Sequence, residues 1–225
     1  MVIDSFFPKR CIGCGKTGTF LCSDCRQSVP KLLPPFCPKC GKPQVNGVLC
    51  AECRQRQTAI DGIRSPFRFE GAMRQAIHQL KYQNLKAISS FSAALLADYL
   101  LLTPLPGEAL VPVPLHPRRL RERGYNQAAL LAKELGKLTN LPVITDCLIR
   151  VKEAKPQVRT ATVKERRKNV TGAFICHGDK TNGKQIILID DVCTSGATLE
   201  ACATALKNNG AISIWGLTMV MEILE

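Results

Sequence analysis

Aromatic side chains are scarce in this chain, with Phe, Tyr and Trp together making up 5% of 225 residues. That composition weighs against a broad platform for stacking nucleic-acid bases. Long apolar runs are missing too: no stretch reaches the ~18 to 20 residues that a membrane-spanning helix requires, which excludes an integral membrane segment of that kind. The longest candidate, Phe91 to Leu102, is interrupted by Asp98, and the spacing of Leu95, Leu96, Tyr99, Leu100 and Leu102 suits a core-facing helix. Histidine occurs three times, as His78, His116 and His177, none placed as a metal ligand. Acidic residues are outnumbered 18 to 31 by basic ones, leaving a formal net charge of +13. No cleavable signal sequence opens the chain, and the expectation is a cytoplasmic, soluble protein.

What is present begins with Ile186 to Thr198, where four apolar residues, two adjacent carboxylates and a small hydroxylated loop follow without a break. A non-alternating β-branched run suits a strand buried on both faces of a parallel sheet, so Ile186 to Ile189 is predicted to end at the sheet edge where α/β proteins bind ligands. Thr194, Ser195, Gly196, Ala197 and Thr198 then turn into a helical pattern from Leu199 to Asn208. Their hydroxyls and backbone N–H groups would converge on an anion-sized space at a helix N-terminus. Asp190 and Asp191 would repel a bare phosphate but suit ribose hydroxyls or a bridging Mg2+. No Gly-Lys-Ser/Thr follows this strand, which excludes a Walker loop there. The segment resembles the phosphoribosyl pyrophosphate signature of type I phosphoribosyltransferases. That resemblance implies ligand binding by Asp190, Asp191, Val192, Cys193, Thr194, Ser195, Gly196, Ala197 and Thr198, with the acidic pair on the ribose and the loop on the 5-phosphate.

Eight of the twelve cysteines fall in four pairs, Cys11/Cys14, Cys22/Cys25, Cys37/Cys40 and Cys50/Cys53. Two residues between thiolates is the spacing that lets both sulfurs face one tetrahedral zinc. Two structural Zn2+ sites are expected, most simply paired in sequence order, with an interleaved pairing open. A disulfide framework is the competing reading, disfavoured by the regular spacing and the absent leader. So few apolar residues separate Met1 and Gln57 that zinc would supply much of the folding free energy of that segment. Four thiolates leave no open coordination position, so no chemistry is expected at either ion. Cys147, Cys176, Cys193 and Cys202 read as buried small residues.

The expected organisation is a double zinc-ribbon-like module over 1–57 and an α/β domain over 58–225. Strands are predicted near Phe67–Phe69, Ala109–Leu115, Val143–Arg150, Gly172–Cys176, Ile186–Ile189 and Ile212–Met221. Helices are expected near Ala72–Tyr82, Phe91–Leu102, Gln127–Leu138 and Leu199–Asn208, and this alternation favours a mostly parallel sheet flanked by helices. Pro112 and Pro114 confine their segment to a strand end or a ligand-edge loop. Arg118, Arg119, Arg121 and Arg123, and later Arg159, Lys164, Arg166, Arg167 and Lys168, read as loops around the site, either a solvated basic face or phosphate and nucleic-acid contacts.

Tyr82 in Leu80-Lys81-Tyr82, the block Val111-Pro112-Val113-Pro114-Leu115-His116-Pro117-Arg118-Arg119-Leu120-Arg121-Glu122-Arg123-Gly124-Tyr125-Asn126-Gln127, and Gln157, Arg166, Arg167, Asn169 and Ala173-Phe174 resemble the ComF competence family over essentially the full chain. The resemblance implies a cysteine-rich zinc module before a type I phosphoribosyltransferase fold, with phosphoribosyl pyrophosphate and Mg2+ as ligands. Leu115, His116 and Arg118 would hold the pyrophosphate end, and the loop from Lys155 to Arg167, with Arg166 and Arg167, would close over the site. Members are associated with natural transformation, which implies single-stranded DNA and competence proteins such as a DNA-uptake helicase as partners. Relatives associated with gluconate use share the layout.

Two functional classes follow. One is an enzyme in which Mg2+ and basic side chains neutralise departing pyrophosphate while Asp190 and Asp191 hold the ribose for an acceptor that no motif identifies. The other is a binding protein that senses the sugar phosphate, or grips single-stranded DNA with its basic loops, in a salt-dependent manner. Phe36, Tyr82 and Tyr125 are the stacking candidates, each with a packing role as the alternative.

Overall fold

The computed structural model describes residues 9–82, 86–153, 165 and 168–223. Gln157, Arg159, Lys164, Arg166 and Arg167, and with them the loop expected to close over the site, lie outside the described residues, as does the side chain of Tyr82.

Strand β6 (Gln185–Cys193) is the spine of the molecule. It runs between β3 (Ala109–Pro112) and β7 (Ser213–Met221), parallel to both. On the far side of β7, β1 (Gly62–Arg64) pairs in parallel with Trp215–Leu217, and β2 (Phe67–Arg68) with Val220 and Met221. The order β1-β7-β6-β3 is wholly parallel, so every strand in it presents its C-terminal end at one edge. A separate antiparallel hairpin joins β4 (Leu148–Arg150) to β5 (Phe174–Cys176).

Two hydrophobic clusters lie on opposite faces of this sheet, because successive β6 side chains alternate between them. Ile186 and Leu188 join Leu199, Cys202, Ala203 and Leu206 of the helix Ala197–Asn208. Ile187 and Ile189 instead meet Leu131, Ala132 and Leu135 of α6 (Gln127–Thr139), with Met73 and Ile77 of α3 (Gly71–Tyr82) and Leu95 and Leu96 of α4 (Lys86–Leu102). Ile186 to Ile189 are at most 1% exposed. Covering both faces is what makes the unbroken Ile-Ile-Leu-Ile run stable as a strand.

Two features depart from the sequence expectation. Strand β6 does not stop at Ile189 but pairs with β7 as far as Cys193↔Met221, so the acidic pair belongs to the strand itself. The arginine-rich stretch after Leu115 is not a loop but helix α5 (Pro117–Arg123). Its ends carry the relevant signals: Pro117 in the first turn, His116 Nδ1 accepting from Arg118 N (3.4 Å), and Gly124 at φ 79° closing the helix onto Leu120 O. The extended segment expected from Val143 to Arg150 narrows to β4, preceded by a single parallel bridge between Leu110 and Val143.

The cysteine-rich segment contributes to both clusters. Ile12, Leu21 and Val29 join the α3/α4 side, whereas Leu32 joins the opposite side, all under 8% exposed. Its short helices α1 (Ser23–Ser28) and α2 (Ala51–Arg54) each begin next to the last zinc-spaced cysteine pair of their ribbon.

Candidate ligand site and zinc centres

At the C-terminal end of β6 the two adjacent carboxylates have unlike surroundings. Asp191 is 3% exposed and meets the Lys81 ammonium, from the last turn of α3, at 2.9 Å. Burial works to raise its pKa, but Lys81 and hydrogen bonds from Asp190 and Gln127 outweigh burial and hold Asp191 below the ordinary carboxylate range. Asp190 is pushed well above that range by burial and by the charge of Asp191. Its Oδ1 accepts from Asp191 N at 2.8 Å. Asp190 is thus the weaker acid of the pair and Asp191 the stronger. Two hard oxygen donors side by side also fit Mg2+.

Beyond Cys193 the chain turns through Thr194, Ser195 and Gly196 into α7 (Ala197–Asn208). Gly196 sits at φ 71°, and a Cβ there would lie 2.9 Å from Ile63 Cδ1, so conformation and space both demand glycine. No side chain caps this helix, which leaves the first-turn N–H groups facing the loop. Thr194, Ser195 and Thr198 are half-buried around it, while Ala197 is buried. Val192 is partly buried against the α3/α4 cluster. Cys193 is 4% exposed, and burial pushes its thiol up to about 12, so it remains a neutral packing residue. A cavity of 380 Å³ runs along the outer side of α7, lined by Arg56, Gly172, Phe174, Glu200 and Thr204.

The segment expected at the pyrophosphate end lies at the same edge. Val113 N donates to Ile189 O (2.9 Å), so Pro114, Leu115 and His116 leave the sheet beside Asp190. Asn126 fastens this turn, its Nδ2 donating to Val113 O (3.0 Å) and its Oδ1 accepting from Ala128 N (3.0 Å). His116 serves as the cap of α5, and Arg118 is exposed and paired with Glu122 (2.9 Å) and Glu153 (3.4 Å). Tyr125 is structural: its hydroxyl donates to Leu80 O, tying the turn after α5 to the residue before Lys81. Phe36 packs against the core with the Arg64 guanidinium 5.9 Å from its ring centre.

The eight N-terminal cysteines gather as two quartets in sequence order, Cys11, Cys14, Cys22 and Cys25, then Cys37, Cys40, Cys50 and Cys53, each with its sulfurs within 4.8 Å of one another. Sulfur–sulfur distances of 3.7, 3.6 and 3.8 Å match the roughly 3.8 Å edge of a tetrahedron with ~2.3 Å zinc–sulfur bonds. All the cysteines are free thiols, which disposes of the disulfide alternative and of interleaving. Cys11 and Cys37 are lowered to about 6, backbone N–H groups overcoming their burial; Cys22 N and Cys50 N donate to their sulfurs at 3.4 Å.

Across 95% of its length the chain is 32% identical to the competence protein F of Haemophilus influenzae, of which it covers 98%. The chain belongs to the ComF competence-protein family. It is also 30% identical to competence protein ComFC of Bacillus subtilis, over 89% of this chain and 83% of that one. The DNA utilization protein YhgH of Escherichia coli K12 is 28% identical over 88% and 89%. Residues 2–54 match the double zinc ribbon domain family, and the ComF chain accordingly carries two structural zinc sites. Among solved structures, it resembles a purine phosphoribosyltransferase of Pyrococcus horikoshii with a TM-score of 0.37 and 20% identity, over 59% of this chain and 72% of that one.

Three residues of the ComF site escaped the sequence reading. Lys81 and Gln127 both act on Asp191. Arg150, 8% exposed, lies over the Phe174 ring at 5.3 Å and within electrostatic reach of Asp190 and Arg119. Lys81 and Gln127 were visible only as neighbours of other motif residues, since their partner is distant in sequence. Arg150 carried one usable signal, a lone cation in an otherwise apolar strand.

Proposed function

We propose that this protein binds phosphoribosyl pyrophosphate with Mg2+ through a phosphoribosyltransferase-type site, and acts in the handling of single-stranded DNA during natural transformation. The observation that carries this reading is the sequence of groups along one sheet edge: Asp190 and Asp191 at the end of the central strand, then an uncapped helix N-terminus entered through Gly196. In this reading the two carboxylates hold the ribose hydroxyls, and the hydroxyls and N–H groups of residues 194–198 hold the 5-phosphate. Leu115, His116 and Arg118, together with Arg166 and Arg167, take the pyrophosphate. Bound Mg2+ would neutralise part of the pyrophosphate charge. Arg118 would exchange its exposed carboxylate partners for a phosphate, a gain because exposed ion pairs contribute little. Cytoplasmic residence and a DNA-uptake helicase as partner belong to the same proposal, as does the division into a zinc module over 1–57 and a ligand domain over 58–225.

Calorimetric titration of the zinc-loaded protein with phosphoribosyl pyrophosphate, with and without Mg2+, tests the site. Saturable, Mg2+-enhanced binding that disappears in Asp190→Asn/Asp191→Asn, with zinc content unchanged, is expected. Equal affinity in that double variant rejects the assignment.

A further inference from the structure

We infer that Arg150 and Arg119 receive the pyrophosphate group of the ligand, a buried guanidinium and an exposed one that no carboxylate neutralises among the described residues. This rests on the proposed phosphoribosyl pyrophosphate site and deepens it.

Arg150 is a buried cation without a counter-ion. It lies opposite Phe174 in the β4–β5 hairpin and is 8% exposed, its guanidinium 5.3 Å from the ring centre. Its Nε donates to Lys152 O at 3.2 Å, and among the described residues its two Nη groups have no hydrogen-bond partner. The charge of Asp190 reaches it only from a distance, without an ion pair. Residues 154–164, which follow soon after β4, contain no acid to supply one. Burying a cation without a partner is costly, and burial and the charge of Arg119 both push the Arg150 pKa down. A side chain kept in that condition calls for an anion that arrives from outside.

The neighbouring groups say which anion. In the proposed site Asp190 holds a ribose hydroxyl, and the pyrophosphate hangs on the carbon next to the 2-hydroxyl, which brings it within range of Arg150. Helix α5 closes the other flank. Val113 N donates to Ile189 O (2.9 Å), which starts the approach to α5 beside Asp190, and Arg118 Nη1 meets Glu153 Oε1 (3.4 Å), which holds the helix against the chain leaving β4. Arg118 is occupied by Glu153 and Glu122, whereas Arg119 is exposed and makes no ion pair among the described residues. Two guanidinium forks from separate elements can each hold a pair of phosphate oxygens, an arrangement that suits the two phosphates of a pyrophosphate. The same group brings Arg150 the countercharge it lacks.

The test uses the full-length, zinc-loaded protein with Mg2+ and two probes in separate titrations, phosphoribosyl pyrophosphate and ribose 5-phosphate, which differ by the pyrophosphate group. Arg119→Gln and Arg150→Met should each weaken phosphoribosyl pyrophosphate by roughly tenfold or more, the scale of one charged hydrogen bond, and leave ribose 5-phosphate as in the wild type. Met keeps an aliphatic stem on Phe174, and zinc content and melting temperature report whether each variant is folded. If Arg150→Met does not fold, Arg119→Gln, at an exposed position, carries the test alone. Arg121→Gln removes one exposed charge from the same helix, about 200° round its axis from Arg119, and controls for net charge. Variants that bind phosphoribosyl pyrophosphate like the wild type, or lose no more than Arg121→Gln does, overturn the inference while the ligand site stands. An equal loss for ribose 5-phosphate overturns it too, since the two arginines would then act on something other than the pyrophosphate. A wild-type protein that binds neither probe removes the proposed function itself, and this extension with it.

Discussion

Lys81 decides the charge state of the site. Its ammonium is a quarter exposed, whereas the Asp191 carboxylate it meets is almost fully enclosed. Replacing it by Met leaves a buried carboxylate without its cation, and Lys81→Met is expected to destabilise the protein by about 2 kcal/mol, below the range for fully buried pairs because Lys81 is partly solvated. Urea unfolding measures this. The sign of the pH dependence follows from Asp190. Its raised pKa means that the ionised form, the one that accepts from ribose hydroxyls or holds Mg2+, develops at higher pH than for an ordinary carboxylate. Affinity for phosphoribosyl pyrophosphate should therefore rise with pH through that pKa, with net proton release seen by calorimetry in buffers of different ionisation enthalpy. Affinity independent of pH, with no proton release, would show that Asp190 is already ionised. The two carboxylates were legible as a site because they are adjacent in sequence. Their division of labour was not, since Lys81 reaches Asp191 only once α3 is packed on the sheet.

Glycines set the fit between elements. Gly196→Ala places a Cβ both at positive φ and against Ile63, at about 1 to 2 kcal/mol for the backbone alone, and it should lower phosphate affinity more than stability would suggest. Titration with ribose 5-phosphate beside a thermal melt separates the two effects; a variant that melts lower but binds normally would show the loop to be tolerant. Element by element, β6, α6 and α7 could be read from the sequence because their hydrophobic periods are long and uninterrupted. Helix α5 could not, since its Arg118, Arg119, Arg121 and Arg123 bury nothing and only its capping residues announce it. The extension of β6 past Asp190 was equally hidden: β7 pairs with it up to Met221, so tertiary context overrides the poor strand preference of aspartate.

Considered whole, the molecule has no core that excludes its ribbons. Ile12, Leu21 and Val29 are built into one sheet face and Leu32 into the other. Stripping zinc should thus lower the main unfolding transition by roughly 10 °C or more, instead of melting a detached N-terminal unit. Differential scanning calorimetry with and without chelator distinguishes a shifted single peak from a new early one. Metal loss should also become easier as pH falls, because protons compete with the ion for the thiolates of each quartet. Cysteine spacing announced both quartets, yet their seating on the sheet is a matter of a few scattered apolar residues that no local pattern marks.

Strand β7 is the seam of the sheet, joining the early strands β1 and β2 to β6. Until Ser213 to Met221 dock, Ile186 to Ile189 lack one partner strand, and β1 and β2 lack the strand that joins them to the sheet. For that interval the most apolar segment of the chain has a bare edge, the condition under which strands of separate chains join. Slow docking of β7 would lengthen the exposure, so the yield of soluble protein should depend on how quickly the last strand finds its place beside β6.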